Sequence, residues 1–132
     1  MSDPSLAFQK AVYDALIGGG VCAGRIYDRV PQKRVYPYAT VPDAAFSDDG
    51  NSCFQQDEVF LDVHVYSRAV GHVEIKQQVG LIRAALDTEI AIDGFKNALG
   101  EWRSTRFPPQ PDRLSAHAVV TFRYLIQHPA SV

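Results

Sequence analysis

The sequence predicts an α+β domain, a mainly antiparallel β-sheet of about four strands with two α-helices packed on one face. Three observations lead there. Two segments place apolar residues about a helical turn apart, and others alternate apolar and polar residues with a period of two. The strand-like segments come in consecutive pairs with no helix between them, which calls for hairpins. The chain has 132 residues, 46% hydrophobic and 21% charged, values of a single globular domain. One domain spanning residues 1–132 is therefore expected.

The elements follow in order. Asp3-Pro4 reads as a helix start, with an N-cap side chain before a proline that has no N–H to lose. Leu6, Phe8, Val12, Tyr13, Leu16 and Ile17 give the following helix an apolar face, and Gly18-Gly19-Gly20 stops it. The expected span is Pro4 to Ile17. A short apolar piece, Arg25 to Val30, leads into loop-like "VPQKR". A strand near Tyr38 to Phe46 is interrupted by Pro42, which suggests an edge strand or a bulge.

Ser47 to Glu58, "SDDGNSCFQQDE", reads as a polar, acidic loop. "VFLDVHVYS" then alternates, with Val59, Leu61, Val63 and Val65 on one side and Phe60, Asp62, His64 and Tyr66 on the other. Ile75, Val79, Ile82 and Leu86 mark the second helix. Gly80 within it is tolerable if another element packs closely there. Asp93-Gly94 is a turn signal before a strand at about Leu99 to Phe107, which "PPQPD" ends. The last strand, Leu114 to Gln127, turns Ala116, Ala118, Val120, Phe122, Tyr124 and Ile126 one way. His117, Val119, Thr121, Arg123 and Leu125 face the other.

Little in the chain points to chemistry. The formal net charge of −2 and the lack of a basic, aromatic-studded sheet face argue against a nucleic-acid module. Basic clusters at Arg25, Arg29, Lys33 and Arg34, and around Arg103, Arg106, Arg113 and Arg123, read by default as solvated charge. Cys22 and Cys53 have no C-x-x-C spacing and read as two free, semi-buried thiols. His64, His72, His117 and His128 form no metal-ligand pattern, and His64 and His117 read as exposed sheet residues. The acidic loop lacks calcium-loop spacing, and there is no nucleophile elbow, Walker motif or dinucleotide fingerprint. No catalytic, cofactor or metal-binding residue is expected. No run approaches the ~18 apolar residues of a membrane span, and "MSDPSLAFQK" does not read as a signal peptide, so the protein is expected to stay where it is made, in the cytoplasm.

Two features suggest protein partners. "GRIYDRVPQKRVYPYATV", Gly24 to Val41, alternates tyrosines with arginines, the residue types enriched at interface centres. Core packing explains Tyr27 and Tyr38 equally well. The last strand also carries Val119 and Leu125 on the side away from the helices, which suggests that a neighbouring subunit covers that face.

Taken in order, the start helix, "GRIYDRVPQ", "YPYATV", the acidic loop, "VFLDVHVYSRAVGHVEIKQQVGLIRAAL" and "HAVVTFRYLI" resemble the tail completion or tail terminator family, the gp17-like group of long-tailed phages, prophages and gene transfer agents. "GRIYDRVP" (Gly24–Pro31) and "HVYSRAVGHVEIKQ" (His64–Gln77) are the most specific parts. The resemblance implies a structural virion protein and no enzyme. It implies a hexameric ring at the head-proximal end of the tail tube that stops tube polymerisation and joins the tail to a head-completion (stopper) protein. DNA would pass through the lumen without sequence-specific binding. The implied partners are copies of itself, the tube protein and the stopper, with no membrane, in the particle and in the host cytoplasm during assembly.

On that basis Arg25, Arg29, Lys33, Arg34 and Tyr36 are candidate contacts with a neighbouring subunit or the stopper. Asp48, Asp49, Asp57 and Glu58 are candidates for a lumen- or tube-facing element, since DNA must slide past without basic grip. The alternative is a small monomeric α+β enzyme or ligand-binding domain, which requires a pocket around His64, His117 or Cys53.

Overall fold

A computed structural model describes residues 3–129. Helix α1 runs Ser5–Gly18 and α2 Val73–Leu86, joined to strands β1 Ile26–Tyr27, β2 Tyr38–Thr40, β3 Ala45–Asp48, β4 Gln56–Ser67, β5 Glu89–Ile90, β6 Ala98–Arg106 and β7 Ala116–Gln127. The fold is α+β as expected, but the sheet is larger and mixed. It has seven strands in the order β1-β2-β4-β7-β6-β5, with β3 also paired to β4, and β1 runs parallel to β2. The sequence pattern missed β1 and β5 because two residues are too few to display a period of two.

The centre is the antiparallel pair β4–β7, in register over the full length of both strands from Gln56↔Gln127 to Ser67↔Ala116. Its inner residues, Val59, Leu61, Val63 and Val65 with Ala118, Val120, Phe122, Tyr124 and Ile126, are all buried. Phe8, Val12 and Leu16 of α1 and Ile75, Val79, Ile82 and Leu86 of α2 close the same face. Phe8 packs edge-on against Tyr124 at 5.1 Å and Phe46 at 5.8 Å. The Tyr124 hydroxyl donates to the Leu86 carbonyl at 2.7 Å, tying β7 to the end of α2.

Local signals behave as their chemistry dictates. Asp3 lies just outside α1 and its carboxylate accepts from the Ser5 N–H at 3.0 Å, while Pro4 takes the cap position. Pro42 divides the expected strand into β2 and β3, which share one edge of β4. In "SRAVG", the Ser67 hydroxyl accepts from Ala69 N–H and donates to Glu74 at 2.7 Å, and Gly71 turns the chain at φ +76. Gly80 has open space around it rather than a packed neighbour; the close approach falls at Gly19, where a Cβ would sit 3.1 Å from Ala85 Cβ. No helix among the described residues is long and apolar enough to cross a membrane.

Candidate functional site

The stretch from Gly24 to Val41 is long for a topological reason. Because β1 and β2 are parallel neighbours, the chain must return to its starting end between them, and residues 28–37 make that return. Arg25 closes this arm: its Nε donates to the Pro37 carbonyl at 2.9 Å, and its own carbonyl accepts from Ala39 N–H. Arg25 is thus half-buried and engaged inside the protein. Arg29, Lys33 and Arg34 are exposed on the arm, and half-buried Tyr36 precedes a cis peptide to Pro37.

The arm ends in a row of rings on the outer face, opposite the helices. Tyr38 stacks on Tyr66 at 5.0 Å, Tyr66 on His117 at 4.4 Å, and His117 on His64 at 5.1 Å. Tyr36 lies 5.2 Å from Tyr38, with the Arg68 guanidinium 4.7 Å above the Tyr36 ring. Arg34 hydrogen-bonds Tyr36 and lies in the field of Tyr38 and Tyr66; the hydrogen bond, chiefly, raises its pKa. The Tyr38 and Tyr66 phenols are pushed up, mainly by burial.

His64 Nδ1 and His117 Nε2 lie 2.9 Å apart and share one hydrogen bond, so one nitrogen donates and the other accepts. Both imidazoles face away from the core as the alternation implies, but they are half-buried rather than exposed. Burial, then His64, then Arg106 push the His117 pKa down to about 4. Burial lowers His64 as well, against Asp62 and with Arg106. The pair is neutral at pH 7.

This face also corrects two expectations. Val119 is 1% exposed within the single chain, flanked across the ladder by His64 and Arg106, so its burial requires no second subunit. A basic, aromatic-studded sheet face does exist: the rings come from three strands and the arm, and only the register brings them together.

The acidic candidates do not form one loop. Ser47↔Glu58 and Asp48↔Asp57 are paired positions of a β3–β4 hairpin. Strand pleat sends Asp57 and Glu58 to opposite faces. Asp57 meets His128 at 3.3 Å; Glu58 accepts from Arg123 at 2.6 Å on the outer face, where Arg123 also reaches Glu101 at 3.4 Å. Asp48 and Asp49 remain near the exposed tip, accepting from Gly50 N–H and the Gln56 side-chain amide, each at 3.0 Å. Cys22 is buried, which raises its thiol pKa to about 12, and Cys53 is exposed near the tip.

Sequence reasoning missed Tyr66, Arg68, Arg106 and the His64–His117 pairing as parts of one surface. The available signal was the polar phase of β4 laid beside that of β7. Two cavities mark the surface, one of about 340 Å³ between α1 and residues 41–46 and an open one of about 680 Å³ at the hairpin beside Cys53. Neither is lined by a histidine. Among the described residues no three His, Cys, Asp or Glu side chains group to hold a metal ion.

The fold is similar to that of a chain in a solved structure described as the virion of a native gene transfer agent particle. The TM-score is 0.80 at 16% identity, covering 96% of this chain and 99% of that one. No curated protein matches in sequence. The family model described as tail completion protein gp17 matches residues 8–127. The chain therefore belongs to the tail completion protein gp17 family and is a structural phage tail protein.

Proposed function

We propose that the protein is a tail terminator. A hexameric ring of copies sits on the head-proximal end of the tail tube, stops tube polymerisation and receives the stopper protein. DNA passes through the lumen without sequence-specific binding. Membership of the tail completion family carries this reading, and the fold likeness to a virion chain supports it. The site chemistry fits a contact surface better than a reaction. Tyr38 is buried and its neighbouring rings are half-buried, its cations stand at the rim, and its histidines are engaged with each other. Arg29, Lys33, Arg34 and Tyr36 make the contacts to the neighbouring subunit or the stopper, while Arg25 shapes the arm. The protein works in the particle and is assembled in the bacterial cytoplasm.

Disrupting the gene in cells that produce the particle tests this. Heads lacking tails, beside tails or tubes of uncontrolled length, are expected in electron micrographs. Normal tailed particles in normal number would refute a terminator role.

A further inference from the structure

Unpaired charge is unevenly distributed along the direction of β4. Where β4 ends and β7 begins, Arg34 and Arg68 stand against the rings of Tyr36, Tyr38 and Tyr66, and Arg106 acts on the His64–His117 pair beside them. At the far end of β4, about 36 Å away at strand rise, the tip of the β3–β4 hairpin carries Asp49 on the outer side beside Gln56, Asp48 on the side of its partner Asp57, and the exposed ring of Phe54. Among the described residues Asp48 and Asp49 are in no ion pair within 4 Å, although Asp49 lies in the field of Arg123, and neither are Arg34 and Arg106. Arg68 reaches only Asp112, at 4.0 Å with both groups about half exposed, a contact of little worth.

The two patches are complementary and lie too far apart to meet within one copy. We propose that the acidic hairpin tip of one copy docks on the arginine–tyrosine end of the next. This rests on the ring reading and gives its self-contact two named surfaces. Asp48 and Asp49 offer carboxylates to the guanidinium forks of Arg34 and Arg68, and Phe54 lies against the tyrosine rings that floor the site. Because the surfaces differ, the contact is heterologous and propagates head to tail, closing into a ring when the rotation allows. A net charge of only −2 sets little long-range repulsion against it.

Charge exchange tests the pairing. The variants are Arg34→Glu/Arg68→Glu and Asp48→Lys/Asp49→Lys, all at exposed positions, with circular dichroism to check that each keeps its fold. Assembly is followed by sedimentation velocity and by electron microscopy of rings, alone and on tube ends. Each variant alone is expected to need about tenfold more protein to assemble, and more as salt is lowered, because like charges then face each other. An equal mixture is expected to assemble like wild type, since each tip then finds an opposite face.

Rings from Asp48→Lys/Asp49→Lys alone, at wild-type concentrations, would overturn the docking while leaving the ring reading intact. That result would return the tip to the lumen or the tube. Failure of the mixture to assemble would overturn the pairing as well. Wild-type protein that forms no ring, alone or on tubes, would overturn both readings. Binding of an oligo-dT strand at physiological salt, lost in Arg34→Glu/Arg68→Glu whose assembly is unchanged, would assign the face to nucleic acid instead.

Discussion

The His64–His117 hydrogen bond needs one nitrogen without a proton, and both imidazoles are held below the ordinary value of 6.5, His117 to about 4. As pH falls from about 6.5 towards about 4, the unfolded chain takes up protons before the folded one does, so stability falls across that window. Above it this contribution is constant. The urea midpoint is expected to drop between pH 7 and pH 4.5 in wild type and to drop less in His117→Asn. An NMR titration placing His117 near 6.5 would contradict the burial of the pair. At Gly100 the demand is steric: an added Cβ would fall on the Leu86 carbonyl and 2.5 Å from the Tyr124 ring. Gly100→Ala is expected to cost about 1–3 kcal/mol or more by urea denaturation, because overpacking there also displaces the Tyr124–Leu86 hydrogen bond.

At the scale of elements, the parts that bury one face with a strict period were legible in the sequence. Both helices, β4 and β7 fall within a few residues of expectation because burial on one side imposes the pattern, while β6 was found from the Asp93-Gly94 turn and the prolines that bound it. What was not legible is whatever depends on register. Tyr38↔Tyr66 and Tyr66↔His117 are cross-strand neighbours, and no spacing within either strand reveals them. The acidic segment read as a loop because its polar residues hide a hairpin whose pairing rests on the backbone. The two-residue strands escaped for want of a period: β1 is held parallel to β2 by the arm and the Arg25 clamp, and β5 lies antiparallel to β6. Gly80 on α2 meets no atom within 4 Å, so Gly80→Ala removes backbone entropy from the unfolded chain without a clash. It is expected to stabilise the protein by about 0.5–1 kcal/mol, read as a higher urea midpoint.

For the whole molecule, one sheet serves two purposes. Its inner face and the two helices supply the core, while its outer face carries stacked rings at one end and the Glu58–Arg123–Glu101 ion pairs at the other. Burial of the inner face fixes the register, and the register places the rings. A core substitution such as Phe122→Ala is therefore expected to weaken assembly as well as stability, by about 3–5 kcal/mol in denaturation, although Phe122 lies on the opposite face. Arg34→Glu, at an exposed site, is expected to weaken assembly with little change in stability.

The most direct test of the terminator role is negative-stain electron microscopy of tail-tube subunits polymerising with and without this protein. Tubes capped by a ring at one end, with growth halted there and length falling as protein is added, are the expected outcome. Tubes whose ends and lengths stay unchanged across a wide concentration range would contradict it.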